Sequence, residues 1–598
     1  MTDAWVTQVT TPLNSAHGSA ADESRRVWRA GAAGSVRAVP GVARRPSLEV
    51  TVALVVFLVA WAGLAILRDR TAPHYRLSTR AAIAAAQRDA QVSRYLKRFH
   101  FTRAESIPLD RTLRRVTFFD GPRVVLDAAV APDRTVRFRQ EHTPGVAESG
   151  STVANSPLML ALLTALFVLS TAVLPLARLR NLDVLVMTSF AGVVLLLNAR
   201  LVVASVAVAT PALAYLFARC AVVGLALSSV PGTSEGSTSL YDHLTRAWPT
   251  ERRVRLLRLV TGATALAFLM ITLTSTGESD VAAASLSGAT NLIHGLVPYG
   301  HIADGIVHGD TYPLLTYVFY VPGALWMPVI DAFSDLSGAL PITAVAALLG
   351  AWGLQRIAAR LTSSPTAPFR ASLAWLSFSP VLLAASGGSN DLVLAALVVW
   401  LLALAGQAGR SSLVLAAACW TKVVPLILVP VWLARLRGRD LKVALVALVG
   451  ISGALIAWLL ALGGADAIRE MVDALSFQFQ RASFHAPWRP FGLSWLQIIL
   501  QAALLALLAL ATLRAWRNRG LRTDLPRLAG LSGALLLGVQ LTANYWTWAY
   551  LPWAFPCIAA ALLIGGDWAS GPRSRSVPRA VPRTPRPPGR RHRGARAS

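Results

Sequence analysis

Two acids, Glu278 and Asp280, stand where an apolar run gives way to the polar segment from Ser275 to Asp280. A carboxylate partly withdrawn from water at such a boundary is a stronger base than one in bulk solvent, so it offers general-base chemistry. The plainer reading is a solvated acid at an interface. Asp310 follows in His308-Gly309-Asp310-Thr311-Tyr312, and Asn390-Asp391 open another apolar run. An acid at a membrane boundary is costly enough to need a function or a capping role. Lys422 is the reverse case, a cation in the middle of the apolar block 411–434. Unpaired there, it either pays for its desolvation or loses its proton, so an anionic partner such as a phosphate is expected. The stretch 477–489 interleaves the donors Gln478, Gln480, Arg481, His485 and Arg489 with Phe477, Phe479, Phe484 and Trp488. Arginine beside flat aromatic faces suits a lipid-linked phosphate or a sugar ring. An interfacial aromatic belt with solvated cations is the competing reading. Asn544, Tyr545, Trp546 and Trp548 read as belt residues.

The elements that carry these residues are membrane helices. Of 598 residues, 54% are hydrophobic and 15% charged, against about one-quarter charged in soluble chains. The apolar residues fall in blocks of about 17–25, long enough to cross a bilayer. This excludes a soluble enzyme, a fibrous chain and a secreted disulfide scaffold. Cys220, Cys419 and Cys557 all lie inside apolar blocks and offer no disulfide framework or thiolate metal site. The net charge of +27 comes from arginines in the N-terminal arm, the connectors and the tail, not from a nucleic-acid-binding face.

Read along the chain, residues 1–47 are a disordered basic cytoplasmic arm, 48–67 a first transmembrane helix and 68–156 an extracytoplasmic α+β domain. In that domain a helix is expected over 78–98, then three strands over 114–119, 123–130 and 135–139. Three transmembrane helices follow over 157–227, a cytoplasmic connector over 228–255, a membrane core over 256–565 and a disordered polybasic cytoplasmic tail over 566–598. The expected fold is an all-α polytopic membrane protein of about 14 membrane segments with this small α+β domain attached. Charge bias puts Arg356, Arg360 and Arg410 inside and Asp280, Asn390 and His485 outside. It follows that 281–333 is a long outer loop with membrane-lying helices, and that 411–434 is two half-helices with Lys422 at the vertex.

The order of these motifs resembles a known family. An acid after a span is followed by S-G-A…G…P-Y-G (Ser287 to Gly300), G-D-T-Y-P (Gly309 to Pro313), S-N-D (Ser389 to Asp391), T-K-x-x-P-L (Thr421 to Leu426) and Q-x-x-R-x-S (Gln478 to Ser483). This looks like the GT-C membrane glycosyltransferases, and most like bacterial members of glycosyltransferase family 87, over about half the chain. The resemblance implies a GT-C-like core over 256–565. It also implies transfer, with inversion, of a sugar from a polyprenyl-phosphate donor to an extracytoplasmic glycolipid or glycan acceptor in a bacterial plasma membrane. Asp280 matches the family's base. Lys422, Arg481 and Arg489 could supply cations for the phosphate leaving group, and Tyr299, Asp310, Asn390, Asp391, Gln478 and His485 complete the candidate substrate-binding set. No D-x-D stands in the first outer loop, so no metal and no cofactor are expected. The partners are donor, acceptor and membrane lipids, with no nucleic acid. The Arg- and Ala-rich, Lys-poor composition suits a high-GC bacterium, and for such a source the resemblance implies mannose or arabinose as the sugar. A transporter or lipid-linked-sugar flippase, or a catalytically inactive scaffold or sensor, remains the alternative.

Overall fold

The computed structural model describes residues 77–564, apart from 109–112, 122, 142–150, 177, 199–201, 227–237, 304, 307–308, 332–333, 480, 482, 489–492 and 523. The expected arm, first helix and tail lie outside the described residues.

The polar segment folds as two helices and a sheet. Ser78 caps α1 (Thr79–Arg88), and Asp89 caps α2 (Ala90–Arg98) by accepting the N–H groups of Gln91 and Val92 at 3.1 Å. The single helix expected over 78–98 is therefore two, because Asp89 is extended and caps a new helix instead of continuing the first. Four antiparallel strands follow in the order β1-β2-β3-β4: β1 (Arg103–Pro108), β2 (Arg114–Asp120), β3 (Arg123–Val130) and β4 (Val136–Glu141). β1 is the strand the sequence pattern lacks; it is an edge strand, and Ala104 to Ile107 are only half-buried. The helices cover one sheet face, where Ala82, Ala86 and Val92 meet Val116, Phe118 and Leu126. From the other face, Ala129 and Phe138 pack on Val206 and Phe484 of the membrane core.

That core is helical apart from a short antiparallel pairing of Val173–Leu174 with Thr238–Ser239. Its first helices are α3 (Pro157–Thr171), α4 (Leu179–Asn198), α5 (Val202–Gly224), the short α6 (Leu240–Leu244) and α7 (Thr250–Leu273). Then come α8 (Asp280–Ile293), α9 (Leu314–Trp326), α10 (Ala339–Leu361), α11 (Ala367–Ser377), α12 (Ser379–Ser386) and α13 (Asp391–Ala403). The last are α14 (Ala408–Thr421), α15 (Val429–Ala434), α16 (Gly438–Ser476), α17 (Ser494–Arg517), α18 (Leu525–Thr542) and α19 (Leu551–Ile558). Seven of them (α4, α5, α7, α10, α16, α17, α18) are long and apolar enough to cross a membrane, and the pair α11–α12, bent by 56°, makes an eighth. The chain is a multi-pass, membrane-embedded helical protein, but about fourteen spans is an overcount for the described residues. An apolar run reports burial, and burial inside a bundle needs no crossing. At 15, 13 and 13 residues, α3, α9 and α13 fall short of the roughly 20 needed to span.

Two sets of contacts sort the helix ends. At one end, Asp242 of α6 pairs with Arg370 of α11 at 3.2 Å and Arg253 of α7 at 3.8 Å. At the other, the N–H and hydroxyl of Ser279, just past α7, both donate to the carbonyl of Gly387, just past α12, at 2.9 and 2.8 Å. So α7 and α11–α12 run parallel through the bundle. α10 begins at this second end, since a Cβ on Gly388 would lie 2.9 Å from that of Ala339. Both ends of residues 274–338 thus meet the Gly387–Gly388 turn, and α8 and α9 make no net crossing. The segment from α14 to α15 also turns back on itself. α14 ends at Lys422, which is extended (φ −145°, ψ 152°), and Arg435 after α15 donates to the carbonyl of Ala405 at 2.9 Å, beside where α14 began.

α18 lies at the centre of the bundle against α5, and glycines let the two backbones touch. A Cβ on Gly530 would stand 2.8 Å from the nitrogen of Gly224 and 2.9 Å from the carbonyl of Cys220. Backbone cannot yield as a flexible side chain can. Gly530→Val should therefore destabilise the protein by about 1–3 kcal/mol or more, read as a lower thermal midpoint in detergent. An unchanged midpoint would show that this close approach is not a structural requirement.

Candidate functional site

At the Gly387–Gly388 end of the bundle lies a cavity of about 390 Å³, within the range of small-molecule sites. The helix breaks build it. Lys422 stands at the α14 break. Arg481 follows the point where α16 ends, after a kink at Gly463 and Gly464; Gly464 has φ 64°, ψ −156°, a backbone state open essentially to glycine alone. Tyr312, Gln478, Tyr545, Tyr550 and Trp553 complete the polar and aromatic wall, while Val423, Val424, Ile427 and Val539 make the apolar one.

α9 is the strut of this site. Its Tyr320 hydroxyl donates to the carbonyl of Gly388 at 2.9 Å, its Tyr317 hydroxyl donates to that of Gly309 at 2.9 Å, and Thr316 bonds the carbonyl of Thr421. One short helix therefore joins the three segments that carry Asn390-Asp391, Asp310 and Lys422.

The two cations differ in their partners. Lys422 is 7% exposed and pairs with Asp391, which is 1% exposed and also accepts from the Ser389 hydroxyl at 2.6 Å. The rings of Tyr312, Trp553 and Tyr550 surround its ammonium at 5.1, 5.2 and 5.4 Å. The anionic partner expected of Lys422 is, within the protein, Asp391, brought alongside by the fold. Arg481 makes no ion pair among the described residues. Its guanidinium lies 4.0 Å over the Tyr545 ring and 5.9 Å from that of Phe477. Arg481 is therefore the cation the cavity presents to an incoming anion.

Asp280 is the first residue of α8, not the last of the preceding span. Ser279 caps the helix, and the Asp280 carboxylate accepts the N–H of Val281 at 2.8 Å. Half-buried, it lies within electrostatic reach of Lys422, Arg481 and Tyr312. Glu278 instead interacts with Asp335; burial pushes its carboxyl up and Asp335 adds to that. Of the two sequence-adjacent acids, only Asp280 is coupled to the cations.

The other candidates separate by position. Gln478 lines the cavity and donates to the carbonyl of Thr311 at 2.8 Å. Asn390 is fully buried and donates to the Ser285 hydroxyl at 3.0 Å, so it ties α8 to the Ser389 turn. Asp310 accepts the N–H of Gly300 at 3.3 Å, and the buried Tyr299 donates to the carbonyl of Tyr312 at 3.1 Å. These two shape the loop behind the cavity and are not among the residues lining it. His485 borders a separate water-sized void beside Trp488 and Gln540, and Arg489 lies outside the described residues. The reading of Asn544, Tyr545 and Trp546 as membrane belt is corrected: Asn544 and Tyr545 line the cavity, and Trp546 is buried. Tyr312, Tyr550 and Trp553 were not among the candidates. In sequence they look like any interfacial aromatics, and only their convergence on Lys422 sets them apart.

Comparison with protein-family models, with curated proteins and with solved structures found no match.

Proposed function

We propose that this cavity binds the phosphate and sugar of a polyprenyl-phosphate-linked donor, and that the protein transfers the sugar, with inversion, to a hydroxyl of an extracytoplasmic glycolipid or cell-envelope glycan. The observation that carries the reading is a recessed cavity lined by a guanidinium without an ion-pair partner among the described residues, with the Asp280 carboxylate outside that lining but within the guanidinium's electrostatic reach. The short α13 and α14, at 13 and 14 residues, reach only about 20 Å into a hydrocarbon core of about 30 Å. With their other ends at the far face, their site-facing ends stop about 10 Å short of the near surface, so the cavity is recessed into the apolar layer. The apolar wall of Val423, Val424 and Ile427 belongs to a turn whose Leu426 is exposed on the protein surface. That wall suits the first units of the isoprenoid chain, and the aromatic rings suit a sugar face.

In the reaction, Asp280 takes the proton of the acceptor hydroxyl as its oxygen attacks the anomeric carbon. The bond from that carbon to the phosphate oxygen breaks, and its electron pair leaves with polyprenyl phosphate. Arg481, with Lys422 behind it, stabilises the growing charge on the phosphate. A phosphate leaving group needs no protonation, so one carboxylate suffices.

The test is to incubate membranes containing the protein with labelled polyprenyl-phosphate mannose, arabinose or glucose and look for labelled glycolipid or glycan. Labelled product from one donor, absent with Asp280→Asn, is the expected result; no product from any of them counts against the reading. A charge-assisted contact is worth about 1.5–3 kcal/mol, so Arg481→Gln should raise the half-saturating donor concentration about 10- to 100-fold. An unchanged value would remove Arg481 from the donor site.

A further inference from the structure

The α+β domain and the cavity meet at one ring. Phe484, three residues beyond Arg481, is 2% exposed. Phe138 of β4 meets it edge-on, with 4.4 Å between centroids, and the guanidinium of Arg115 from β2 lies 5.1 Å from its centre. Arg115 is itself bonded to Asp127 of β3 at 2.7 Å. Ser483 ties the same loop to the opposite wall of the cavity: its N–H donates to the carbonyl of Asn544 at 2.9 Å, and its hydroxyl donates to that of Trp546 at 3.0 Å. Tyr545, which lies between those two carbonyls, supports Arg481. The chain leaving the sheet is anchored on the other side of the site, where the N–H of Ser151 donates to the Ser386 hydroxyl at 3.2 Å, next to the Gly387 carbonyl that holds Ser279.

Arg481 has no ion pair among the described residues, and a long side chain held by ring contacts alone keeps its place only if its backbone is fixed. That backbone leaves the end of α16 and enters a loop with one face on Asn544 and Trp546 and the other under the sheet. We propose that the α+β domain is a clamp: Phe138 and Arg115 grip Phe484 and so hold the Arg481 loop in the geometry that receives an anion. Phe138 and Phe484 are positioning residues, acting through Arg481. The anion's identity rests on the donor reading above; the clamp itself does not.

The test reads the guanidinium directly. Phenylglyoxal modification of Arg481 is followed by mass spectrometry in the full-length protein in detergent, with buried Arg435 as the internal control and polyprenyl phosphate as the protecting ligand. Phe138→Ala should speed modification of Arg481 roughly tenfold, the scale of losing a buried aromatic pair. It should raise the polyprenyl phosphate needed for half-protection by a similar factor and leave Arg435 unchanged. Phe138→Leu, which keeps most of the buried volume, should recover most of the wild-type behaviour. An unchanged rate at Arg481, or an equal rise at Arg435, overturns the clamp. A selective rise at Arg481 with no protection by polyprenyl phosphate in either protein upholds the clamp and overturns the donor reading.

Discussion

Asp280→Asn is expected to lower sugar transfer by about two orders of magnitude or more, with donor binding retained. The substitution keeps size and hydrogen-bonding capacity but removes the group that takes the acceptor's proton, and such help is typically worth about 10²–10⁴ in rate. The position supports a split between the kinetic constants. Asp280 is a negative neighbour of both Lys422 and Arg481, so its neutralisation leaves the cations at least as attractive to a phosphate. The donor's KM should therefore hold or fall while kcat collapses. Asp280→Glu should recover little, because a displacement of about an ångström can cost on the order of 10²-fold. Asp310→Asn is the control: its carboxylate holds the Gly300 N–H behind the cavity, so it should cost far less turnover. If Asp310→Asn abolishes transfer and Asp280→Asn does not, the base lies in the Gly309-Asp310 turn. If neither matters, the glycosyltransferase reading fails.

Lys422→Met should destabilise the protein by about 3–5 kcal/mol, because it leaves the buried Asp391 carboxylate without its counter-ion. Removing both charges, as Lys422→Met with Asp391→Asn, should restore most of that loss, since the side-chain amide that Asp391→Asn introduces can still accept from the Ser389 hydroxyl. Thermal inactivation of the single and double variants in detergent measures the difference, and equal losses would show that the pair is not coupled. The double variant also separates the two cations in function. With its charge already balanced by Asp391, Lys422 contributes less to phosphate binding than Arg481. The double variant should therefore raise the half-saturating donor concentration less than Arg481→Gln does; the reverse order would return the main phosphate contact to Lys422.

The number of spans and the partners of the buried charges are where sequence and structure part. A run of apolar residues means removal from water, which composition alone determines, so the membrane character of the chain and the position of each apolar block are legible without coordinates. So are the break at Lys422, where a lone cation and Pro425 interrupt a helix, and three of the four strands of the small sheet, β2, β3 and β4, which carry their own turns. Whether an apolar block crosses the bilayer or ends inside the bundle depends on what packs at its end. That is why α13 reads as an ordinary span in the sequence, although Asp391 at its start meets Lys422 and the Ala405 carbonyl just past its end meets Arg435. The candidate acids and cations were legible as types, since a charge in an apolar run is conspicuous at any position. Their grouping was not. The Lys422–Asp391 pair spans 31 positions, and Phe138 meets Phe484 across most of the chain. Pairing between distant positions leaves no periodicity in the sequence; only the packing that brings Asp391 beside Lys422 determines that this cation is neutralised while Arg481 keeps no ion pair among the described residues.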